Sequence, residues 1–196
     1  MDPRLAAAVR ENAEWCDLYC RAHRLPVSSD AKLWHTARRS PPYYPDAVTL
    51  DPATTEADVL GPIDSGPGCS VKDSFATLDL TPYGFRVLFE ATWIHRPAGP
   101  PGTGETWRRT AASDMPDDRS VTVFAGAEGR VVAHRSGDVI GLSNLAGDAW
   151  GPAVAAIAAA FPGMPIVGYE QAEDLPGAYA VGFVPLGPLR VWLRPE

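Results

Sequence analysis

From residue 121 to the C-terminus, short apolar segments alternate with tight turns and two helical segments. This order constrains the fold more than any other feature of the chain. The uninterrupted apolar run at 166–169 indicates a strand that is buried on both faces. In order, the predicted elements are strands at 121–124, 130–133 and 139–142, a helix over 151–161, a strand at 166–169, a helix over 174–180, and strands at 183–184 and 189–193. Such an order predicts an α/β fold.

The first 120 residues follow weaker patterns. Asp2-Pro3 combines a preferred N-cap residue with proline at the first helical position, so a helix is predicted from there to about Arg24. Residues 85–95 alternate between apolar and polar side chains, as half-buried strands do. Further short elements are predicted: a helix that starts at Asp30, a strand at 47–50, a capped helix after Thr55, a strand at 75–80 and a helical turn within 107–113.

Composition and charge argue against several classes of partner. The 196 residues are 45% hydrophobic and 21% charged, which is typical of a globular protein. A net charge of −7, with no basic cluster longer than two residues, argues against nucleic acid. No apolar run approaches the length of a membrane span, and the N-terminus lacks the pattern of a secretory signal. We therefore expect a cytoplasmic protein that acts on a small molecule or peptide, with no nucleic-acid or membrane partner.

The cysteines raise the question of a metal site. Their number, three, is odd, which does not fit a disulfide framework. Cys16, Cys20 and His23 recur at helical spacing, so one helix face presents two thiols and an imidazole. A zinc site would need a further ligand from Cys69 or His35, and no second Cys-x-x-Cys pair is present. Free cysteines on an apolar helix face behave as small hydrophobic residues, so no metal site is predicted.

Three motifs close the chain: Val167-Gly168-Tyr169-Glu170, Gly182-Phe183, and Gly187-Pro188-Leu189-Arg190-Val191-Trp192. Together with the order of elements from residue 121, they resemble the GCN5-related N-acetyltransferase (GNAT) superfamily. Many of its members end with a helix that runs into a Gly-Phe pair, followed by a terminal hairpin. The resemblance covers about residues 121–194.

The resemblance implies a fold, a domain organisation and an activity. The fold is a mixed, mostly antiparallel, twisted sheet flanked by helices. Residues 75–196 would form the GNAT-like domain, and residues 1–74 an additional helical and irregular N-terminal region packed on it. The activity is transfer of an acetyl or acyl group from acyl-CoA to an amine of a small molecule or peptide. The resemblance would also allow the protein to form a homodimer.

The resemblance also implies a cofactor site for acetyl-CoA. In the superfamily the cofactor lies between two splayed strands, and its pyrophosphate is bound by backbone N–H groups at the start of the third helix, where those groups lack intrahelical partners. The corresponding cofactor-binding residues here are Leu142, Ser143 and Asn144 on the strand, and Gly147 and Gly151 beside the helix.

Three residues are implied to act in catalysis. Glu170, at the end of the predicted strand 166–169, would accept a proton from the amine directly or through water. Tyr169 would lie near the acyl group. Tyr179 occupies the last helix, where many family members place the tyrosine that protonates the departing thiolate. It lies three residues before Gly182, whereas the family spacing is four.

The phosphate-binding stretch departs from the family pattern. Gly147 and Gly151 do not have the usual spacing, and Pro152 lacks a backbone N–H. Asp148 would place a negative charge beside a diphosphate, and Trp150 is bulky where close approach is needed. A second hypothesis follows: a GNAT-like domain that no longer binds coenzyme A and instead binds a ligand or a partner protein.

Overall fold

The fold is that of a computed structural model, which describes residues 1–100, 107–146 and 149–196. The chain divides into two compact units. Unit 1 comprises residues 1–12 and 93–186, and unit 2 comprises residues 13–92 and 187–196. The predicted boundary between residues 74 and 75 is a different division of the chain and stays a prediction.

Four helices, one 3₁₀ turn and eleven strands make up the described chain. The helices are α1 (Pro3–Ala22), α2 (Glu56–Leu60), α3 (Trp150–Ala160) and α4 (Leu175–Ala180), and the 3₁₀ turn is Thr81–Tyr83. The strands are β1 (Val27–Ser29), β2 (Leu33–Thr36), β3 (Ala47–Thr49), β4 (Ser70–Asp73), β5 (Arg86–Arg96), β6 (Arg108–Thr110), β7 (Val121–Gly126), β8 (Gly129–Ser136), β9 (Val139–Ala146), β10 (Ile166–Glu170) and β11 (Val184–Leu193).

In unit 2 the strands follow the order β1-β2-β3-β4-β11-β5. The β3–β4 pair is parallel, whereas β1–β2, β2–β3 and β4–β11 are antiparallel. Asp46 lies at the centre of a polar network in this unit. Its carboxylate accepts hydrogen bonds from Arg39 and from the backbone N–H groups of Ser40 and Ser70. These bonds join the loop before β3 to the start of β4.

In unit 1 the strands follow the order β5-β10-β9-β8-β7-β6. The pairs β6–β7, β7–β8 and β8–β9 are antiparallel, and β9–β10 is parallel. Helix α3 packs on one face through an apolar cluster that includes Ile140 on β9, Ile157 on α3 and Ile166 on β10. Because side chains alternate along a strand, the residues next to these on each strand lie on the opposite face.

The observed architecture confirms the predicted fold class. The sheet pairings are mostly antiparallel, helices flank the strands, and the run from β7 to α4 matches the predicted order. The capped helix after Thr55 is confirmed in detail. The Thr55 hydroxyl accepts from the Asp58 N–H, and the Asp58 carboxylate accepts from the Thr55 N–H. In the described residues, none of the helices has the length and apolar character that crossing a membrane would require.

Several local predictions were wrong. Where a helix was predicted from Asp30, the structure has a turn followed by strand β2. The Asp30 carboxylate accepts hydrogen bonds from the N–H groups of Lys32 and Leu33, as it would at the start of a helix, but here these bonds close the turn. The strand predicted at 75–80 is a loop in which the Asp73 carboxylate accepts from the Phe75 and Leu78 N–H groups. The helical turn predicted within 107–113 contains strand β6.

The predicted terminal hairpin was also wrong. Residues 184–193 form one continuous strand, β11, despite two prolines within it. Proline lacks a backbone N–H group, so a strand tolerates it at positions where that group is not needed for a hydrogen bond to a neighbouring strand. The part of β11 that pairs with β4, from Arg190 to Leu193, lies beyond both prolines.

Candidate functional site

Strands β9 and β10 of unit 1 have registered pairs over only a short stretch, and just beyond it Gly168 still lies close to Leu142: a Cβ atom at Gly168 would be 3.0 Å from the Leu142 carbonyl oxygen. The parallel register joins Ile166 to Ile140 and Val167 to Gly141. Beyond these positions β9 continues to Ala146 and β10 to Glu170, without a further registered pair. We call the opening between these two strand ends the wedge. A polar group placed there meets backbone N–H and C=O groups that a fully paired sheet would use internally.

A bulge in β9 borders the wedge. Against β8, Val132 pairs with Ser143 but Arg130 pairs with Ala146, so β9 has one more residue than β8 in this interval. Asn144 has φ of 52°, in the left-handed region that asparagine tolerates better than most residues. The bulge explains why Leu142 and Leu145 both contact the same apolar cluster although they are three residues apart.

The start of α3 provides few backbone donors. Trp150 and Gly151 are its first two residues, Pro152 has no N–H, and the Ala153 N–H already donates to the Ala149 carbonyl at 3.1 Å. The first turn contains no acidic residue and no capping side chain. The Trp150 ring is buried and meets Phe183 edge-on, with ring centroids 5.6 Å apart. Gly147, predicted to bind the cofactor, and Asp148 lie outside the described residues.

Glu170 lies at the end of β10 and has an unusual acidity. Burial raises the pKa of its carboxyl group to about 7, and the negative charge of Asp174 adds to the effect. Desolvation disfavours the charged carboxylate, and a like charge nearby does the same. A carboxyl group with a pKa near 7 exchanges protons efficiently at neutral pH, as a general base must.

The two tyrosines lie in different surroundings. Tyr169 shares the sheet face of Val167, where its ring meets that of Trp93 edge-on at a centroid distance of 5.4 Å. Tyr179 is 41% exposed on α4, and the buried residue of that helix is Ala178. With this exposure, the Tyr179 side chain does not pack in the core.

Opposite the α3 face, the sheet of unit 1 has a buried pair formed by a histidine of β8 and a glutamate of α1. Nδ1 of His134 on β8 lies 2.9 Å from Oε1 of Glu11 on α1, and their side chains are 7% and 6% exposed. The Glu11 carboxylate lies directly on Gly141: a Cβ atom at Gly141 would be 1.8 Å from Oε1. Gly141 pairs with both His134 and Val167, so the pair lies where the wedge begins.

The next residue of β9 on this face is Ser143. Its Oγ atom is buried and has no hydrogen-bond partner in the part of the chain that the structure describes. Ser143 is the registered partner of Val132, which in turn pairs with Val123 on β7. Val123 lines a surface cavity of about 540 Å³ formed with the segment that precedes β7, including Asp117 and Asp118. One row of the sheet therefore connects this cavity to Ser143.

The three thiols are buried, and two of them have raised pKa values. Burial raises the pKa of Cys20 and of Cys69 to about 12, so both remain protonated at neutral pH. Cys16 and Cys20 belong to an apolar cluster of unit 2. Within residues 1–100, 107–146 and 149–196, no three His, Cys, Asp or Glu side chains are placed to hold a metal ion.

Two solved structures are similar to almost the whole chain. A GCN5-related N-acetyltransferase from Kribbella flavida has a TM-score of 0.63 at 10% identity, over 96% of this chain and 96% of that chain. A protein described as an acetyltransferase from the GNAT family of Novosphingobium aromaticivorans has a TM-score of 0.58 at 13% identity, over 96% of this chain and 99% of that chain. The chain has the GNAT fold. No protein-family model matches the sequence, and no curated protein is similar to it in sequence.

Within the GNAT fold the predicted site residues fall into two groups. The wedge brings together the ends of β9 and β10, which carry Leu142, Ser143, Asn144, Tyr169 and Glu170. Gly151 lies at the start of α3 and Tyr179 on α4. Their roles in binding and catalysis stay predictions.

The pair of Glu11 and His134 was not predicted from the sequence. These residues are 123 positions apart, and neither belongs to a motif. One local signal was available. An isolated glycine inside a strand, such as Gly141, often marks a site where another group approaches the backbone closely.

Proposed function

We propose that this chain is an N-acyltransferase that transfers an acetyl or other acyl group from acyl-CoA to an amine of a small molecule or peptide. The observation that supports it most directly is the wedge between β9 and β10. The registered pairing ends at Gly141 and Val167, so backbone groups at the ends of both strands would be available to a ligand. The GNAT fold supports the same class of reaction.

The residues around the wedge suit an acyl thioester, which would supply the activated carbonyl carbon. Backbone N–H groups at the bulge, near Ser143 and Asn144, would bind the carbonyl oxygen and stabilise the negative charge that develops on it. The N–H groups of Trp150 and Gly151 would bind the pyrophosphate, because the first N–H groups of a helix lack intrahelical partners. Because Pro152 has no N–H group, the described part of the first turn offers the pyrophosphate only these two donors.

Glu170 would accept a proton from the amine. A primary amine is protonated in water at neutral pH and becomes a nucleophile only after it loses a proton. Glu170 lies on β10 at the open end of the wedge, and its pKa of about 7 suits this transfer. Tyr179, which is exposed on α4, would protonate the thiolate that leaves.

The cavity of about 540 Å³ beside β7 is the site that we assign to the amine. Asp117 and Asp118 line it, and carboxylates attract an ammonium group. The row Val123–Val132–Ser143 spans two strand spacings, roughly 10 Å, from the cavity wall to the wedge. A small or extended amine substrate could cover that distance.

Titration calorimetry with acetyl-CoA tests the cofactor assignment, with a matched pair of variants at Gly151. The position is open, because a Cβ there would meet nothing within 4 Å. Gly151→Asp adds a negative charge where the pyrophosphate would lie, whereas Gly151→Asn adds almost the same volume without charge. We expect micromolar binding by the wild type and a loss of about tenfold or more in Gly151→Asp compared with Gly151→Asn.

Wild-type protein that binds no acetyl-CoA at millimolar concentration would overturn this proposal. It would favour the second hypothesis, a GNAT-fold domain that binds another ligand or a partner protein. The missing N–H of Pro152 is the observation that supports this alternative. Equal affinities of Gly151→Asp and Gly151→Asn would show instead that the pyrophosphate does not lie at the start of α3.

The pH dependence of acyl transfer tests Glu170. Because the deprotonated carboxylate is the active form, we expect kcat/KM to rise with pH up to about 7 and then to level off. Glu170→Gln should abolish this rise of kcat/KM with pH and lower kcat by about 100-fold. An unchanged profile in Glu170→Gln would remove Glu170 from the mechanism.

A stability measurement provides an independent check of the same pKa. The folded protein holds the Glu170 proton more tightly than the unfolded chain does, so the free energy of unfolding should fall as pH rises from 4.5 to about 7. Glu170→Gln should be more stable than the wild type above pH 7. Both proteins should converge at low pH, where the wild-type carboxyl group is also neutral.

A further inference from the structure

We propose that unit 2 contains a second copy of the strands and helix that form the wedge in unit 1, and that this copy is closed, so that each chain binds one acyl-CoA. We call β1–β4 with α2 the first half, and β7–β10 with α3 the second half. The part of this inference that concerns acyl-CoA rests on the proposed function. The duplication itself rests on the fold alone.

The two halves have the same succession of elements and strand directions. In the first half, β1–β2 and β2–β3 are antiparallel, and β3–β4 is parallel with α2 in the connection. In the second half, β7–β8 and β8–β9 are antiparallel, and β9–β10 is parallel with α3 in the connection. Antiparallel neighbours are common, so the position of the one parallel pair and its helical crossover is the informative agreement.

The register of the two parallel pairs also agrees. The registered pairs are Ala47 with Val71 and Val48 with Lys72 in the first half, and Ile140 with Ile166 and Gly141 with Val167 in the second half. In each half the first pair belongs to the apolar cluster of the crossover helix, to which α2 contributes Val59 and α3 contributes Ile157. The second pair lies on the opposite face of the strands. The halves therefore agree in which residues face the helix.

Helix α1 contacts equivalent positions of the two halves. In unit 1, Oε1 of Glu11 lies 2.9 Å from Nδ1 of His134 on β8. In unit 2, Oδ1 of Asp17 accepts a hydrogen bond of 3.1 Å from Nε1 of Trp34 on β2. His134 and Trp34 each pair with the β9 or β3 member of the second registered pair. Each half thus presents the same strand position to an acidic residue of α1.

Each half is completed by the strand that follows the other half in the chain. Strand β5 follows β4, but it neighbours β10, and its residues 93–96 belong to unit 1. Strand β11 follows β10, but its residues 190–193 belong to unit 2 and pair with β4. Two copies of one half have the same kind of open strand edge, so each edge can pair with the strand that leaves the other copy.

The opening of the first half is crossed by its own hydrogen bonds. Beyond the second registered pair, β3 continues to Thr49 and β4 to Asp73. Oγ1 of Thr49 accepts from the Ser74 N–H at 2.8 Å, and the buried Asp73 carboxylate accepts from the Leu78 N–H at 2.8 Å. Backbone donors at the place that corresponds to the wedge are therefore already bonded within unit 2.

The first half also differs in the charges that the reaction would use. The first turn of α2 contains Glu56 and Asp58, and the Thr55 hydroxyl and the Asp58 carboxylate already cap its backbone N–H groups. These carboxylates repel a pyrophosphate, whereas the first turn of α3 has no acidic residue. Three residues beyond the last registered pair, the second half has Glu170 and the first half has Phe75. The first half thus has an apolar side chain in place of the proposed base.

Native mass spectrometry with acetyl-CoA counts the sites. At acetyl-CoA concentrations about tenfold above the dissociation constant, we expect one bound molecule for each chain of 21.0 kDa. A second molecule bound with comparable affinity would show that the first half is open, and would contradict the inference while leaving the proposed function intact. A wild-type protein that binds none at millimolar concentration would refute the proposed function, and the count of one with it.

Equivalent substitutions at the two helix starts locate the site. Gly151→Asp and Ala57→Asp each place a carboxylate at the second residue of a crossover helix, and both positions are exposed. We expect Gly151→Asp to lose about tenfold or more in affinity for acetyl-CoA, and Ala57→Asp to remain within about twofold of the wild type. Equal losses in the two variants would mean that both helices bind a pyrophosphate, which the closed first half does not allow.

Hydrogen exchange tests the closure without any ligand. In the free protein the Ser74 amide should exchange slowly, and Thr49→Val, which removes the acceptor at nearly constant volume, should speed it by about tenfold or more. The Leu78 amide, which Asp73 accepts, should keep its rate in this variant and so report an intact fold. Fast exchange at Ser74 in the wild type would mean that the first half is open.

The same measurement with acetyl-CoA compares the two halves directly. Exchange should slow in residues 142–146 and 168–171 and stay unchanged in residues 49–52 and 73–76. Slower exchange in both sets would contradict the closed copy. Slower exchange in the second set alone would place the cofactor in unit 2 and would refute both the inference and the wedge of unit 1 as the acyl-CoA site.

Discussion

The two faces of the sheet in unit 1 differ in chemistry although they share the same strands. On the α3 face every buried side chain of the cluster is apolar. On the α1 face the buried residues include Glu11, His95, His134 and Ser136, and the Ser143 hydroxyl joins them. Alternation along each strand keeps the two sets apart. The comparison indicates that the α3 face stabilises the unit by apolar packing, whereas buried polar groups lie on the α1 face. Glu170 alternates with Ile166 and Gly168 along β10 and therefore borders the α3 face.

The physical reason lies in the cost of burial. Apolar side chains gain free energy in proportion to the area removed from water, whereas a buried polar group gains little and loses much if left unpaired. A face selected for stability alone would therefore resemble the α3 face.

The largest expected effect comes from a change on the apolar face. Ile157 on α3 is 1% exposed, so Ile157→Ala should leave a cavity and lower the free energy of unfolding by about 2–5 kcal/mol. Ser143→Ala, on the other face, should change it by less than about 0.5 kcal/mol. Urea denaturation of both variants measures the difference. Similar losses in the two would contradict the proposed division between the faces.

A second experiment tests the contact that brings α1 to the sheet. Gly141→Ala forces a methyl group against the Glu11 carboxylate and should destabilise the protein by about 1–3 kcal/mol. Adding Glu11→Ala should recover part of that loss, because the smaller side chain makes room. Gly151→Ala, at an open position, serves as the control for glycine replacement itself. Strictly additive losses would mean that the two residues do not touch.

The smallest expected effect concerns the bulge of β9. Asn144 has φ of 52°, so Asn144→Ala should cost about 1 kcal/mol, whereas Asn144→Gly should be nearly neutral. Thermal unfolding of the two variants measures what the left-handed conformation costs. If Asn144→Gly lost as much as Asn144→Ala, the asparagine side chain and not its backbone conformation would stabilise the bulge.

Much of unit 1 could be predicted because its elements are local. The alternating and continuous apolar runs from β7 to β10 were recognised within a few residues of their observed bounds, and so was the capped helix α2. Each depends on contacts between neighbouring residues or on side-chain periodicity. The short strands β2 and β6 were mistaken for helices, since a strand of three or four residues is too short for its period to be read.

The sequence by itself determined the order of the C-terminal elements and hence the GNAT resemblance, and it drew attention to the ends of β9 and β10. Only the tertiary structure decided that the registered pairing of these strands ends after two pairs, that burial raises the pKa of Glu170 to about 7, and that Glu11 meets His134. The reason is that strand divergence, desolvation and contacts between distant residues depend on packing between elements. Side-chain periodicity reports only which face of each element is buried.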